Sequence, residues 1–168
     1  MTLPPDPPVR AFVGLGSNLG ESVDTLEEAI RLLDMLPQTS IRAQSQFYRT
    51  PAWGRTDQPD FINAVVELQT RLVPRVLLEK LLDIEQHFGR VRRDDDRWGP
   101  RELDLDLLVY GLESLDQPGL HVPHPRLAER AFVLVPLAEI APALEIPGLG
   151  RVSDLLAAVA SDGIHALP

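Results

Sequence analysis

The chain has 168 residues, 44% of them hydrophobic and 24% charged, which suits one globular domain with a real core. Its net charge of −9 argues against general nucleic-acid binding, and the lack of cysteine excludes disulfides and thiolate metal sites and fits a cytoplasmic setting. No apolar run is long enough to span a membrane, so neither a membrane nor a nucleic acid is an expected partner.

Residues 1–8 are proline-rich and read as a disordered tail, with residues 9–168 as a single domain. Val9, Ala11, Val13 and Leu15 alternate and predict a first strand. Gly14-Leu15-Gly16-Ser17-Asn18-Leu19-Gly20 follows as a turn, either a phosphate cradle or a plain strand-to-helix connection. Ser22 is placed to cap the next helix, whose stripe is Leu26, Ile30 and Leu33 and whose end is Pro37. Ile41, Ala43 and Phe47 predict a second strand from Ser40 to Arg49. A loop rich in Pro, Gly and Asp runs from Thr50 to Asp60, and Phe61 to Thr70 is the third strand. Pro74 suits a helix start; Leu77, Leu81, Ile84 and Phe88 line that helix, and Gly89 stops it.

An arginine-rich loop with Arg90, Arg92, Arg93, Arg97 and Arg101 leads into a fourth strand, Leu103-Asp104-Leu105-Asp106-Leu107-Leu108-Val109-Tyr110. A loop around Val122-Pro123-His124-Pro125-Arg126 follows, then a helix from Ala131 to Ile140 disturbed near Pro136, and a weaker helix from Ser153 to Ala160. This order of hairpins and crossovers predicts an α+β fold: a ferredoxin-like two-layer sandwich with C-terminal additions. Helices should cover one face of a mainly antiparallel sheet and leave a working surface on the other.

The aspartate strand carries the strongest chemical signal. Strand alternation puts Leu103, Leu105, Leu107 and Val109 on one face and Asp104 and Asp106 on the other, the two aspartates roughly 7 Å apart. Aspartate disfavours strands, and local conflict of this kind is expected at functional sites. Paired carboxylates suit Mg²⁺, which completes its shell with water and substrate phosphates, and nearby guanidinium groups suit phosphoryl-type transfer. Phe61 and Asn63 share a strand face and offer a stacking surface with an amide for a flat heteroaromatic ring; alternatively they are a covered Phe and a solvated Asn. The arginine loop, with Trp98 and Asp94 to Asp96, reads as a lid over phosphates or as a solvated loop of mixed sign. His124, with Arg130 and Phe132 downstream, is either structural or a phosphate contact at a helix start.

Taken together these segments resemble the 6-hydroxymethyl-7,8-dihydropterin pyrophosphokinases of folate biosynthesis. The matching pieces are Gly14 to Asn18, Phe47-Tyr48-Arg49-Thr50-Pro51, Asp57 to Ala64, Arg97-Trp98-Gly99-Pro100-Arg101-Glu102-Leu103-Asp104-Leu105-Asp106, Val122 to Arg126, and Glu129 to Phe132. The resemblance implies transfer of pyrophosphate from ATP, the co-substrate, to the pterin hydroxymethyl oxygen, leaving AMP. It implies Asp104 and Asp106 as holders of two Mg²⁺ ions, and Asp104, Asp106, Arg90 and Arg101 as catalytic. Thr50, Pro51, Trp53, Phe61, Asn63, Trp98 and Phe132 would bind the pterin. Glu85, Arg90, Arg92, Trp98, Arg101, His124 and Arg130 would bind ATP. Departures are the run Asp94 to Asp96 in the loop and Phe61 where some members have Tyr. A monomer acting on small-molecule substrates is the expectation; a non-catalytic ligand-binding module on the same sheet is the competing reading.

Overall fold

A computed structural model describes residues 7–18, 21–51, 59–88 and 103–168. Most of the expected tail, the end of the glycine segment, Trp53, and the whole arginine loop with Arg90, Arg92, Arg93, Arg97, Trp98 and Arg101 lie outside the described residues.

The sheet is built from β1 (Val9–Ser17), β2 (Thr39–Gln44), β3 (Tyr48–Thr50), β4 (Phe61–Thr70), β5 (Asp104–Tyr110) and the short C-terminal β10 (His165–Ala166). Its order is β10-β3-β4-β1-β5, with β2 on the same edge of β4 as β3, and these pairings are antiparallel. Helices α1 (Ser22–Asp34) and α2 (Pro74–His87) make the βαββαβ crossovers of a ferredoxin-like fold. Their stripes, Leu26, Ile30 and Leu33 with Leu77, Leu81 and Ile84, bury against Ala11, Val13, Leu15, Leu105 and Leu107. The expected periodicities are therefore the ones that pack.

The C-terminal additions lie on the second face. Helix α3 (Ala131–Ile140) and the short α4 (Val152–Ala157) bury Val133, Leu137 and Val152 with Phe12, Val65, Leu108 and Val109. They cover the part of that face formed by Phe12, Val65, Leu108 and Val109. Two small hairpins, β6 (Leu115–Gln117) with β7 (Leu120–Val122) and β8 (Glu145–Ile146) with β9 (Gly150–Arg151), flank this layer.

Several expectations need correction. The strand from Ser40 to Arg49 is two strands: at the break, Ser45 donates its N–H to the Val65 carbonyl at 2.9 Å and accepts the Val65 N–H on its hydroxyl at 3.0 Å. Val109 does not share the face of Leu103: the pairing passes from Phe12↔Val109 to Val13↔Leu107, a bulge that leaves Leu108 over and turns Val109 to the second face. Tyr110 returns to the first face, where its hydroxyl donates to the Leu72 carbonyl at 2.8 Å. Ser22 is the first residue of α1 rather than its cap; the capping position is Glu21, with no side-chain hydrogen bond, while Ser22 Oγ receives the Ser17 hydroxyl at 3.1 Å. Finally, α4 starts and ends earlier than the expected Ser153 to Ala160.

Candidate active site

The site begins with strand register. Tyr48 on β3 lies opposite Asn63 on β4, Asn63 opposite Gly16 on β1, and Gly16 opposite Asp104 on β5. The next row is Val65, Gly14 and Asp106. Directly paired residues share a sheet face, so Asn63 and both aspartates stand on the same surface. Asn63 and Asp104 are two strands apart, roughly 10 Å at the backbone, with only glycine between them. Gly14 and Gly16 thus lie inside β1, not in a turn, and the space a side chain would take there is occupied by the Asn63 amide over Gly16 and by Leu108 over Gly14. The sequence carries a signal for this: the Gly-x-Gly on β1 has the same period as the Asp-x-Asp on β5.

At one end of these rows stand two buried polar groups, Thr50 Oγ1 and Asn63 Oδ1, without hydrogen-bond partners among the described residues. A buried acceptor left unmet costs about 1–3 kcal/mol, so these atoms suit a ligand that brings its own donors. Phe61 lies opposite Thr50, half-buried on the same surface. Pro51 follows β3 directly. Phe132, the second residue of α3, is also half-buried, and so offers a second aromatic face.

At the other end, Asp106 Oδ2 is 3.8 Å from Arg130 Nη1, with 43% and 31% of the two side chains exposed. An ion pair this solvated contributes at most about 1 kcal/mol, so an arriving anion can redirect the guanidinium at little cost. Arg130 also lies 5.6 Å from the Phe132 ring centroid and links the aromatic and acidic ends of the site.

His124 is held stiffly. Its N–H donates to the Leu108 carbonyl at 2.8 Å, and its Nδ1 accepts the Arg126 N–H at 3.1 Å. A ring accepting at Nδ1 carries its proton on Nε2, which stays a donor. Burial is the main influence holding its pKa below the ordinary value; Arg130, Arg126 and His121 act the same way, and the negative charge of Asp106 opposes them.

Glu85 is buried on α2, 3% exposed, and its Oε2 accepts the Leu105 N–H at 2.7 Å. Leu105 stands between the two aspartates on a strand that, among the described residues, pairs with β1 alone. The carboxylate therefore satisfies the outer edge of β5 and fixes the backbone from which Asp104 and Asp106 project.

Among the described residues no cluster of three or more His, Cys, Asp or Glu is arranged to enclose a metal. Two adjacent carboxylates on an open face still suit Mg²⁺, because that ion keeps water and takes substrate oxygens rather than filling a protein cage. No helix among the described residues is long and apolar enough to cross a membrane.

The model of the 7,8-dihydro-6-hydroxymethylpterin-pyrophosphokinase (HPPK) family matches residues 12–142. A Pseudomonas aeruginosa 2-amino-4-hydroxy-6-hydroxymethyldihydropteridine pyrophosphokinase is 46% identical over 159 residues, 95% of this chain and 97% of the relative. The protein of the same name from Methylorubrum extorquens is 48% identical over 156 residues, 93% of this chain and 97% of the relative. Among solved structures, an HPPK-DHPS in complex with substrates superposes with a TM-score of 0.68 at 14% identity, over 90% of this chain and 43% of that one. A Plasmodium falciparum HPPK-DHPS with pterin and p-hydroxybenzoate gives a TM-score of 0.68 at 13% identity, over 89% and 43%. The chain thus spans less than half the length of these two proteins, and at such identity the likeness shows a shared fold.

Proposed function

This chain belongs to the 7,8-dihydro-6-hydroxymethylpterin-pyrophosphokinase family, and from that premise we infer that it transfers pyrophosphate from ATP to 6-hydroxymethyl-7,8-dihydropterin. The hydroxymethyl oxygen attacks the β-phosphorus of ATP. The bond from that phosphorus to the oxygen bridging it to the α-phosphate breaks, and AMP leaves. The pterin keeps both outer phosphates, and its hydroxyl proton passes to a carboxylate or to water. The observation that carries this reading is the row Asn63–Gly16–Asp104: unmet buried acceptors at one end, a carboxylate pair at the other, and nothing but glycine between.

Asn63 binds the polar edge of the pterin ring, with Thr50, Pro51 and Trp53 completing the pocket and Phe61 and Phe132 stacking on its faces. Arg130, His124 through its Nε2 proton, and Arg90, Arg92 and Arg101 from the loop take the phosphate oxygens. Trp98 closes over both substrates. Glu85 serves the adenosine side and also holds β5, so the position of Asp104 and Asp106 depends on it. Asp104 and Asp106 would hold two Mg²⁺ ions, whose positive charge would offset the negative charge of the phosphates. Asp104 is the residue assigned to accept the hydroxyl proton. Alignment of the hydroxyl with the phosphorus supplies much of the acceleration, because a loose transition state asks for little covalent help. The protein works as a monomer in the cytoplasm.

Nucleotide product analysis tests the reading. ATP and Mg²⁺ should yield AMP only when the pterin is present. ADP appearing in proportion to product would mean an ordinary kinase, and pterin binding without any nucleotide turnover would mean a binding module.

A further inference from the structure

Helix α3 crosses the second face of the sheet, and both of its ends are tied to the site. Arg130 and Phe132 lie at its N-terminal end. At its other end Glu139 accepts the Gln46 N–H on both carboxylate oxygens at 3.1 Å and the Tyr48 hydroxyl at 2.6 Å. Glutamate in the last turn of a helix opposes the helix dipole, and α3 has no basic residue there to offset it. A locally unfavourable residue that makes three contacts to another element gains from those contacts, not from its own helix.

Those contacts fall where β2 and β3 separate. Tyr48 is buried apart from this reach to Glu139, and it lies directly opposite Asn63. Two residues on, Thr50 lies opposite Phe61. The β3–β4 ladder carries Thr50, Phe61 and Asn63, and α3, which lies on the same face of the sheet, carries Phe132. Between the ends of α3, Val133 and Leu137 pack in one cluster with Phe12 and Val65, so the helix lies directly on β1 and β4 and its end contacts reach the site.

The geometry points to Glu139, acting through Tyr48, as a positioning residue that sets the width of the slot between Phe61 and Phe132. Neither residue touches the ring. The latch rests on the pterin reading of that slot, and it deepens it by naming what holds α3 and the β3–β4 ladder in register. A hydroxyl–carboxylate bond is short and charge-assisted, so it fixes distance better than a neutral pair does.

Equilibrium binding of hydroxymethyl-dihydropterin and of a non-hydrolysable ATP analogue should be measured on the full chain for Tyr48→Phe, Glu139→Gln and the double variant, with thermal melts alongside. Tyr48→Phe should weaken pterin binding about fivefold to tenfold, the worth of one good hydrogen bond, and leave the ATP analogue within about twofold. Because the two residues act as one unit, the double variant should bind pterin no worse than the weaker single variant. In steady state, KM for the pterin should rise with little change in kcat. Unchanged pterin affinity in Tyr48→Phe overturns the proposal, as does an equal loss for both ligands that follows the melting temperature. If the wild-type chain binds pterin but forms no AMP, the proposed reaction fails while the affinities still decide the latch. If it binds no pterin, both fail.

Discussion

A Cβ placed on Gly16 would lie 2.9 Å from the side-chain nitrogen of Asn63. Gly16 is in the middle of an extended pairing and is not among the residues with positive φ, so nothing in its backbone demands glycine. The demand comes from the amide that lies over it. Alanine there should leave the fold intact, because a short side chain can yield, yet the amide would have to move. We predict that Gly16→Ala weakens pterin binding about tenfold, the cost of one misplaced hydrogen-bonding group, with melting temperature and ATP-analogue binding nearly unchanged. Gly14→Ala is the control: its added Cβ meets Leu108 at an ordinary 3.5 Å. Isothermal titration of both variants makes the comparison, and equal pterin affinity in the two would sink the idea.

The two aspartates should separate chemistry from binding. They stand across β1 from Asn63, so removing either charge leaves the ring slot untouched. Asp104→Asn and Asp106→Asn should each lower kcat about a hundredfold or more, as expected when preorganised charge at the reacting phosphate is lost, while pterin affinity stays within about twofold. Single-turnover AMP release with parallel pterin binding reads both quantities. A loss of pterin affinity as large as the loss of rate would place the aspartates in the wrong part of the site.

Much of this arrangement was legible in the sequence because it is periodic. The stripes of α1 and α2, the alternation of β1 and β4, and Asp-x-Asp in a leucine strand are repeats of 3.6 or 2 that one chain displays by itself. What stayed hidden depends on partners far along the chain. The break at Ser45 follows from a hydroxyl that meets Val65, twenty residues on. The bulge at Leu108 follows from register against β1. Glu85 sits in the stripe of α2 between Leu81 and Phe88, but nothing local says that its carboxylate meets the Leu105 N–H. The short hairpins β6–β7 and β8–β9 are two or three residues long per strand, too short for alternation to declare itself. Glycine usually marks a turn, so Gly14 and Gly16 read locally as one; here they are strand residues whose missing side chains are replaced by the Asn63 amide and Leu108.

Alkaline titration reads the Tyr48 environment directly, since the chain has only two tyrosines. Burial, helped by the Glu139 carboxylate, pushes Tyr48 up to about 12, and burial with the charge of Glu113 does the same for Tyr110. Both pKa values are raised on folding, so the unfolded chain loses these protons first. The stabilisation is fully present below the unfolded value of about 10 and is lost as pH rises through about 12. The folded protein should therefore show no phenolate absorbance step near the ordinary tyrosine pKa. Absorbance should grow only near the raised values or together with loss of the far-ultraviolet helix signal. A full tyrosine step at the ordinary pKa in a still-folded chain would contradict the buried setting of one or both rings.

Ser45 offers a test of the strand break itself. Its hydroxyl accepts the N–H of Val65, which is 1% exposed, and donates to the Gln46 carbonyl at 2.7 Å. Without the hydroxyl, that N–H is left buried and unmet, since the chain has already turned away from a regular ladder at this point. Ser45→Ala should therefore destabilise the fold by about 1–3 kcal/mol, the cost of an unsatisfied buried donor, although the substitution removes a single atom. Ser45→Thr keeps the hydroxyl and should recover most of the loss if the added methyl is accommodated. Denaturant midpoints for the two variants, at constant slope, measure the difference. The break also delivers Gln46 and Tyr48 to Glu139, so the alanine variant should lose pterin affinity along with stability. A Ser45→Ala protein as stable as the parent would mean that Val65 finds another acceptor and that β2 and β3 can run on as one strand.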